Sequence, residues 1–418
     1  MRIVDLRLAP TSTGRRASAR LLWEDSGPPP FDAYFESDGD GLSGLRAGAN
    51  AFLAAAFVPA IRAGERRIRI EEQPVCPILR DGLRAAAGLL RAWYGPAAEP
   101  AIEAPAGFRA ERPEGPAALF FSGGADSLHL LRVNRSLYPT SHPNAFREAL
   151  HFLGMAMFED NPGERARNLA ARGLRSSERI ARTSGLTLRS IRSNVARLSR
   201  DNHFWATHTQ GAMLASVALG QTVRSASLAA SWDARLLPPW GSHPLLDPCY
   251  SSSAVEIRHL GVDFTRLEKV KALADWPEAL ETLMVCHEAP LPEGELNCGR
   301  CEKCVRTMVE LLAANALDRA TAFSVRRVTA EMIDAIEPAQ IRTERFWSDL
   351  TGPLEAAGRS DLARATNAFL SRARRQRRWE DEKGWKGRLR QLDRRYLAGA
   401  LQRLKRGVPG ESGEVFRP

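Results

Sequence analysis

Two clusters in this 418-residue chain hold residue types whose spacing can do chemistry. The first is SGGADS, with Ser122, Gly123, Gly124, Ala125, Asp126 and Ser127. It lies between a short apolar run, 117–121, and a helical stretch, 128–137. Gly123 and Gly124 have no Cβ, so the main chain there can approach an anion closely. The N–H groups opening a helix have no intrahelical partner and point at such a ligand. Ser122 and Ser127 add hydroxyl donors. A carboxylate beside a triphosphate repels it, so Asp126 makes sense if it orients the loop or holds Mg²⁺ against the phosphates. The Gly-Lys-Ser/Thr ending of a Walker A loop is absent.

The second cluster is Cys286, Cys298, Cys301 and Cys304. Two residues separate Cys298 from Cys301, which lets both sulfurs reach one ion from a tight turn, and Gly299 permits that turn. Cys304 follows one turn into a helix whose apolar stripe is Val305, Met308, Val309 and Leu312. Four thiolates suit a tetrahedral Zn²⁺, and a closed four-cysteine site is normally structural. An iron–sulfur cluster is the rival, although the x₃-Cys-Pro continuation of a ferredoxin run is absent. His287 is an alternative ligand. Cys76 and Cys249 stand alone and read as buried apolar filler.

These clusters need elements to position them. Residues 1–112 alternate extended runs (3–8, 20–23, 33–36, 68–71, 101–104) with helical stretches at 47–62 and 77–93. They predict an N-terminal α+β domain that ends at the Pro/Glu/Gly-rich linker 111–116. Residues 117–323 alternate strand (117–121, 151–158, 187–190, 225–230) with helix (128–137, 165–184, 211–219). That alternation predicts an α/β fold, a parallel sheet covered by helices on both faces. In such sheets ligands bind beyond the C-terminal ends of the strands, where the 122–127 loop lies. Residues 324–418 predict a helical, basic C-terminal extension.

The formal net charge is +10. Residues 371–406 hold fourteen Lys/Arg against four acids, so this tail carries a surplus equal to the whole-chain value. Such a tail can bind nucleic acid or an acidic protein partner, or form a solvated helical face. No apolar run approaches the ~20 residues of a membrane helix. No signal-type apolar stretch opens the sequence, and the expected location is cytoplasmic.

Taken together, the SGGADS loop and the Cys-x₁₁-Cys-Gly-x-Cys-x₂-Cys set resemble the PP-loop ATP pyrophosphatase superfamily. Within it they resemble the 7-cyano-7-deazaguanine synthase (QueC) family. The resemblance spans roughly residues 117–316 and implies a HUP/Rossmann-like PP-loop domain that cleaves ATP between the α and β phosphates. It implies adenylation of a substrate carboxylate, on a small molecule or modified base, with ammonia or another amine then taking the acyl group. ATP, Mg²⁺ and a structural Zn²⁺ are the cofactors so implied. The segment TRLEKV at 265–270 looks like the family's basic segment ahead of the zinc site, which places Arg266 or Lys269 near the phosphates; a helix-surface charge pair is the plainer reading. His243, in the turn 240–244, is either a pocket residue or a structural histidine. Two other functions share the loop. One is a tRNA-thiolating enzyme with Cys249 or Cys76 as sulfur carrier. The other is a non-catalytic ATP-binding scaffold that recruits a partner through its basic helices.

Overall fold

A computed structural model describes residues 1–25, 27–38, 44–107, 113–153, 163–341 and 343–380. Ten strands form one sheet: β1 (Arg2–Pro10), β2 (Gly14–Leu22), β3 (Phe31–Asp38), β4 (Arg67–Ile70), β5 (Ala101–Glu103), β6 (Ala117–Phe120), β7 (Phe146–Phe152), β8 (Thr187–Ser193), β9 (Ser225–Ala229) and β10 (Glu256–Leu260). Their order is β10-β9-β6-β7-β8-β3-β2-β1-β4-β5. The pairs from β10 to β8 are parallel, those from β8 to β1 antiparallel, and those from β1 to β5 parallel again. The fold is α/β with a mostly parallel sheet, compatible with a Rossmann-like arrangement.

The chain divides into two compact units: Met1–Cys298 with Arg319–Ser324, and Gly299–Asp318 with Val325–Pro418. The expected boundary at 111–116 does not part the first unit. β3 pairs with β8, Phe35 with Ser193 and Ser37 with Ile191, so the N-terminal strands and the parallel strands share one sheet. Residues 111 and 112 lie outside the described set, and a turn at 115 leads into β6.

In the first unit, α1 (Ala49–Ala63) is buried along nearly its whole length, through Phe52, Leu53, Phe57 and a run of alanines. It packs on the sheet beside α6 (Gln210–Leu219), which is buried from Gly211 to Leu219. Helices apolar on all sides belong inside a core, and small alanine side chains let the two approach closely. α2 (Pro77–Tyr94) begins at Pro77, a residue well suited to a first helical position. Strand residues alternate between faces. Ala118, Phe120, Leu150, Ile191, Ala226 and Leu228 meet the cluster around α1, α2 and α6. The opposite face carries α3 (Ala125–Leu137), α4 (Glu164–Thr183), α7 (Arg266–Lys271) and α8 (Pro277–Thr282). A short helix, α5 (Asn202–Phe204), runs through a π-turn at Trp205–Thr209 into α6.

The second unit is helical: α9 (Glu302–Ala313), α10 (Ala330–Asp334), α11 (Glu344–Ser348), α12 (Thr351–Ala356) and α13 (Ser360–Glu380). Buried Arg306 on α9 is flanked by Glu302 at 2.9 Å and Glu310 at 2.8 Å, and Trp347 Nε1 donates to the same Glu302. Burial alone would lower the Arg306 pKa; the two carboxylates outweigh it and hold the guanidinium charged. Of the basic tail, residues 371–380 belong to α13, where Arg372 pairs with Asp334 and Arg374 with Glu344. Residues 381–406 lie outside the described set. Among the described residues no helix is long and apolar enough to cross a membrane.

Candidate active site and metal centre

Strands β6 to β10 fall in the spatial order β8-β7-β6-β9-β10. The chain moves from β6 to one side through β7 and β8, then crosses to the other side at β9. The gap between β6 and β9 is therefore a topological switch point, where ligands of open α/β sheets bind. The loop leaving β6 is SGGADS.

Its conformation follows from the glycines. Gly123 has φ +74, in the left-handed region, and a Cβ there would come within 2.3 Å of Ser176 Oγ. Its carbonyl accepts from Met284 N at 2.9 Å, which fastens the loop to the segment after α8. Gly124 is the N-cap of α3 and has no side chain to cap with; instead its carbonyl accepts from Ser127 Oγ at 3.0 Å. Ser122 is exposed, Ala125 and Ser127 are buried, and Asp126 is half-buried in the first helical turn.

Two cations from α7 converge on Asp126. Arg266 Nη1 donates to Asp126 Oδ1 at 3.2 Å, and Lys269 Nζ lies 3.8 Å from the same oxygen. A capping box sets α7: Thr265 Oγ1 accepts from Glu268 N, while the Glu268 carboxylate accepts from Thr265 N. Those hydrogen bonds hold the Glu268 carboxyl below its usual range. Arg266 and Lys269 are three apart and share a helix face. Lys269 is only 1 % exposed and donates to the carbonyl of Ala230, just past β9, at 2.6 Å. It therefore spans the switch point, from the end of β9 to the first turn after β6. Burial lowers its pKa and Asp126 works against that.

Two histidines beside the loop were not singled out in the sequence. His151, near the end of β7, has Nδ1 3.0 Å from Phe121 O and 2.9 Å from Ser177 Oγ. A carbonyl only accepts, so Nδ1 carries the proton. Burial lowers the His151 pKa. His129, one turn after Asp126, packs edge-on against Phe264. Burial, helped by the charge of Lys269, pushes its imidazole down to about 4. A lone buried histidine carries no periodic signature that would have exposed either one.

The 240–244 turn lies on the other face of the sheet. Gly241 N donates to Ala206 O and Gly241 O accepts from Gly211 N, so this strand of chain fills the wide π-turn. A Cβ on Gly241 would meet His208 N and Thr209 N at 2.9 Å. Trp240 packs against Trp232, two residues beyond the carbonyl that Lys269 holds. His243 is buried against Trp93, accepts from Leu245 N, and has its pKa lowered by burial. Buried Asp247 organises this wall, accepting from Ser242 Oγ at 2.8 Å and meeting His259 Nδ1 at 2.7 Å.

The four cysteines come together as the spacing predicts. The sulfurs of Cys286, Cys298, Cys301 and Cys304 all lie within 4.8 Å of one another. A tetrahedral Zn²⁺ with Zn–S about 2.3 Å sets sulfurs about 3.8 Å apart, so the set can bind a metal such as zinc. Gly299 takes φ +69 in the knuckle, and Cys301 is the N-cap of α9, whose positive end favours thiolates. Cys286 Sγ accepts from Glu288 N at 3.3 Å. Asn297 fixes the approach: its Oδ1 accepts from Val285 N and Cys286 N, and its Nδ2 donates to Leu283 O and Ala322 O. Buried Arg172 of α4 donates to the carbonyls of Leu296 and Glu288. His287 is exposed and outside the four-sulfur set. Cys76 is buried, where its sulfur accepts from Ser253 N. Cys249 is half-buried, and burial with the nearby Asp247 pushes its thiol pKa up.

Comparison with protein-family models, with curated proteins and with solved structures returns no match for this chain.

Proposed function

We propose that the chain is a PP-loop, QueC-like ATP-dependent ligase: it adenylates a substrate carboxylate, releases pyrophosphate, and passes the acyl group to ammonia or another amine. The observation that carries this reading is the convergence of Arg266 and Lys269 on Asp126, beside a glycine loop at the switch point. A bare strand–turn–helix junction has no need of a buried lysine spanning two strand ends.

In this account the α3 N–H groups and the exposed Ser122 hydroxyl receive the phosphates, while the Ser127 hydroxyl stays on the Gly124 carbonyl and braces the loop. A carboxylate oxygen of the substrate attacks the α-phosphorus, the bond to the bridging oxygen breaks, and pyrophosphate leaves with the electron pair. Arg266 and Lys269 are already in place before charge builds on that leaving group. Fixed donors of this kind act without reorganisation at the moment of reaction. Asp126 holds both cations through Oδ1 and keeps Oδ2 as the oxygen open to Mg²⁺. Bound Mg²⁺ would screen the phosphate charge. The wall carrying Trp232 and Trp240, across the same switch point, is the surface left for the acceptor.

Cys286, Cys298, Cys301 and Cys304 would hold zinc as a closed four-sulfur site, in which the metal would have a structural role. The thiolation alternative needs a nucleophilic sulfur, and the raised thiol pKa of Cys249 counts against it.

The test is the phosphate product. Protein with Mg²⁺-ATP, an ammonium salt and a panel of carboxylates should yield AMP and pyrophosphate. ADP with orthophosphate would sink the proposal. Nucleotide binding without turnover across the panel would favour the scaffold reading.

A further inference from the structure

The opposite end of the same strands carries a second chemistry. An open cavity of about 570 Å³ lies at the N-terminal ends of β6, β7, β8 and β9. Gly115, Arg147, Glu148, Thr187 and Arg224 are among its lining residues. Its volume falls in the range of small-molecule pockets.

Glu148 is 6 % exposed. Its Oε1 accepts from Arg189 Nη2 at 2.6 Å, but its Oε2 is buried with no hydrogen-bond partner. A buried ionic acceptor left bare carries a desolvation penalty that an N–H donor would relieve. Two cationic groups share the cavity. Arg147 is the extra residue of a β-bulge: Ala117 pairs with Phe146 and Ala118 with Glu148, so Arg147 is left between them. Bulges re-aim side chains, and here Arg147 and Glu148 both line the cavity. Arg147 Nη2 donates to Thr140 O at 3.1 Å, which fixes one edge of its fork. Arg224 is held by its main chain on both sides, N to Pro116 O and O to Glu256 N. Its guanidinium has no partner among the described residues.

We propose that this cavity is a second ligand site, for a small amphoteric molecule that gives an anionic group to Arg147 and Arg224 and an N–H donor to Glu148 Oε2. The volume suits a nucleoside monophosphate whose base bears an exocyclic amine: phosphate on the arginines, amine on the carboxylate. A zwitterionic amino acid offers the same two groups on a smaller frame. The site is independent of the 122–127 loop, since it sits at the other end of the strands.

Calorimetric titration of the full chain with CMP, UMP and L-glutamine tests this. UMP has a carbonyl where CMP has its exocyclic amine. The expected result is binding of CMP at least tenfold tighter than UMP, or binding of L-glutamine if the natural ligand is amino-acid-like. Either affinity should fall tenfold or more in Arg224→Ala and in Glu148→Gln, and should be unchanged in Asp126→Ala. Excess inorganic phosphate should compete with CMP. Glu148→Gln keeps an acceptor for Arg189; if it still fails to fold, Arg224→Ala and the CMP-to-UMP ratio decide. Absence of binding by all three probes would overturn the proposal. So would affinities unchanged in Arg224→Ala, or loss in Asp126→Ala, which would move the binding to the loop.

Discussion

Arg266 Nη1 lies 3.2 Å from Asp126 Oδ1, which joins the first turns of two helices 140 residues apart in the chain. Arg266 keeps 10 % of its side chain exposed and Asp126 keeps 26 %, so the pair is shielded yet open to a ligand. The pair should behave as a unit in turnover. Asp126→Ala and Arg266→Ala are each expected to reduce pyrophosphate release by roughly 10²-fold or more, the scale of losing one preorganised donor. The double variant should lose little beyond the worse single one, because coupled residues are non-additive. Steady-state rates of the four proteins check this. Losses that multiply would show that the contact does not organise the site.

Gly123 is the residue the loop can least replace. Alanine there must accept φ +74 and a clash with Ser176 Oγ, whose own hydroxyl is committed to Thr282 O. The strain is on the order of 1–3 kcal/mol. Gly123→Ala is expected to weaken ATP binding tenfold or more while the sheet still folds. Calorimetry with ATP beside a thermal melt separates the two effects. Wild-type ATP affinity in this variant would argue against the loop as the phosphate site.

Much of this site can be read from residue types that need specific neighbours. Paired glycines after an apolar strand imply an unusual backbone, and the Cys-x₂-Cys spacing implies a shared ion. Other features depend on pairing between distant segments, which local pattern does not carry. The junction of β3 with β8 is one. The polar run at 111–116 reads as a boundary because linkers and strand-entry turns share the same residues. β10 was missed because EIRHL, with polar residues at three of five positions, hardly alternates. The π-turn needs Gly241, more than thirty residues onward, to fill it, so nothing within 205–209 announces it.

Acid should destabilise the fold through its buried histidines. His129 titrates at about 4 when folded, because burial opposes its charge. In the unfolded chain a histidine titrates near ~6.5. Between those values the unfolded chain binds a proton that the folded chain does not, so stability falls as the pH drops through the window. The contribution is fully present above ~6.5 and its loss approaches about 3 kcal/mol near pH 4. Denaturant titrations between pH 7 and pH 4.5 should show a shallower pH slope for His129→Gln than for wild type. Equal slopes would contradict a buried, neutral His129.

The four-sulfur site makes a prediction about metal. Protein purified without chelator should hold close to one zinc per chain by elemental analysis. Chelation at neutral pH should lower the melting temperature, because metal binding at such a site is coupled to folding. Cys304→Ser should reproduce that loss in the absence of chelator. A metal content near zero with an unchanged melting temperature after chelation would remove the zinc assignment. An optical spectrum with sulfur-to-iron bands would replace zinc with an iron–sulfur cluster.

The central claim is that a carboxylate oxygen attacks the α-phosphorus of ATP held at the 122–127 loop. Label transfer tests it most directly. The carboxylate that supports pyrophosphate release is supplied with ¹⁸O in both carboxyl oxygens, and the AMP formed with ammonia is examined by mass spectrometry. One ¹⁸O per AMP is predicted, delivered when the acyl–oxygen bond breaks. AMP that contains only unlabelled oxygen would contradict the account, because water rather than the carboxylate would then have opened the α-phosphate.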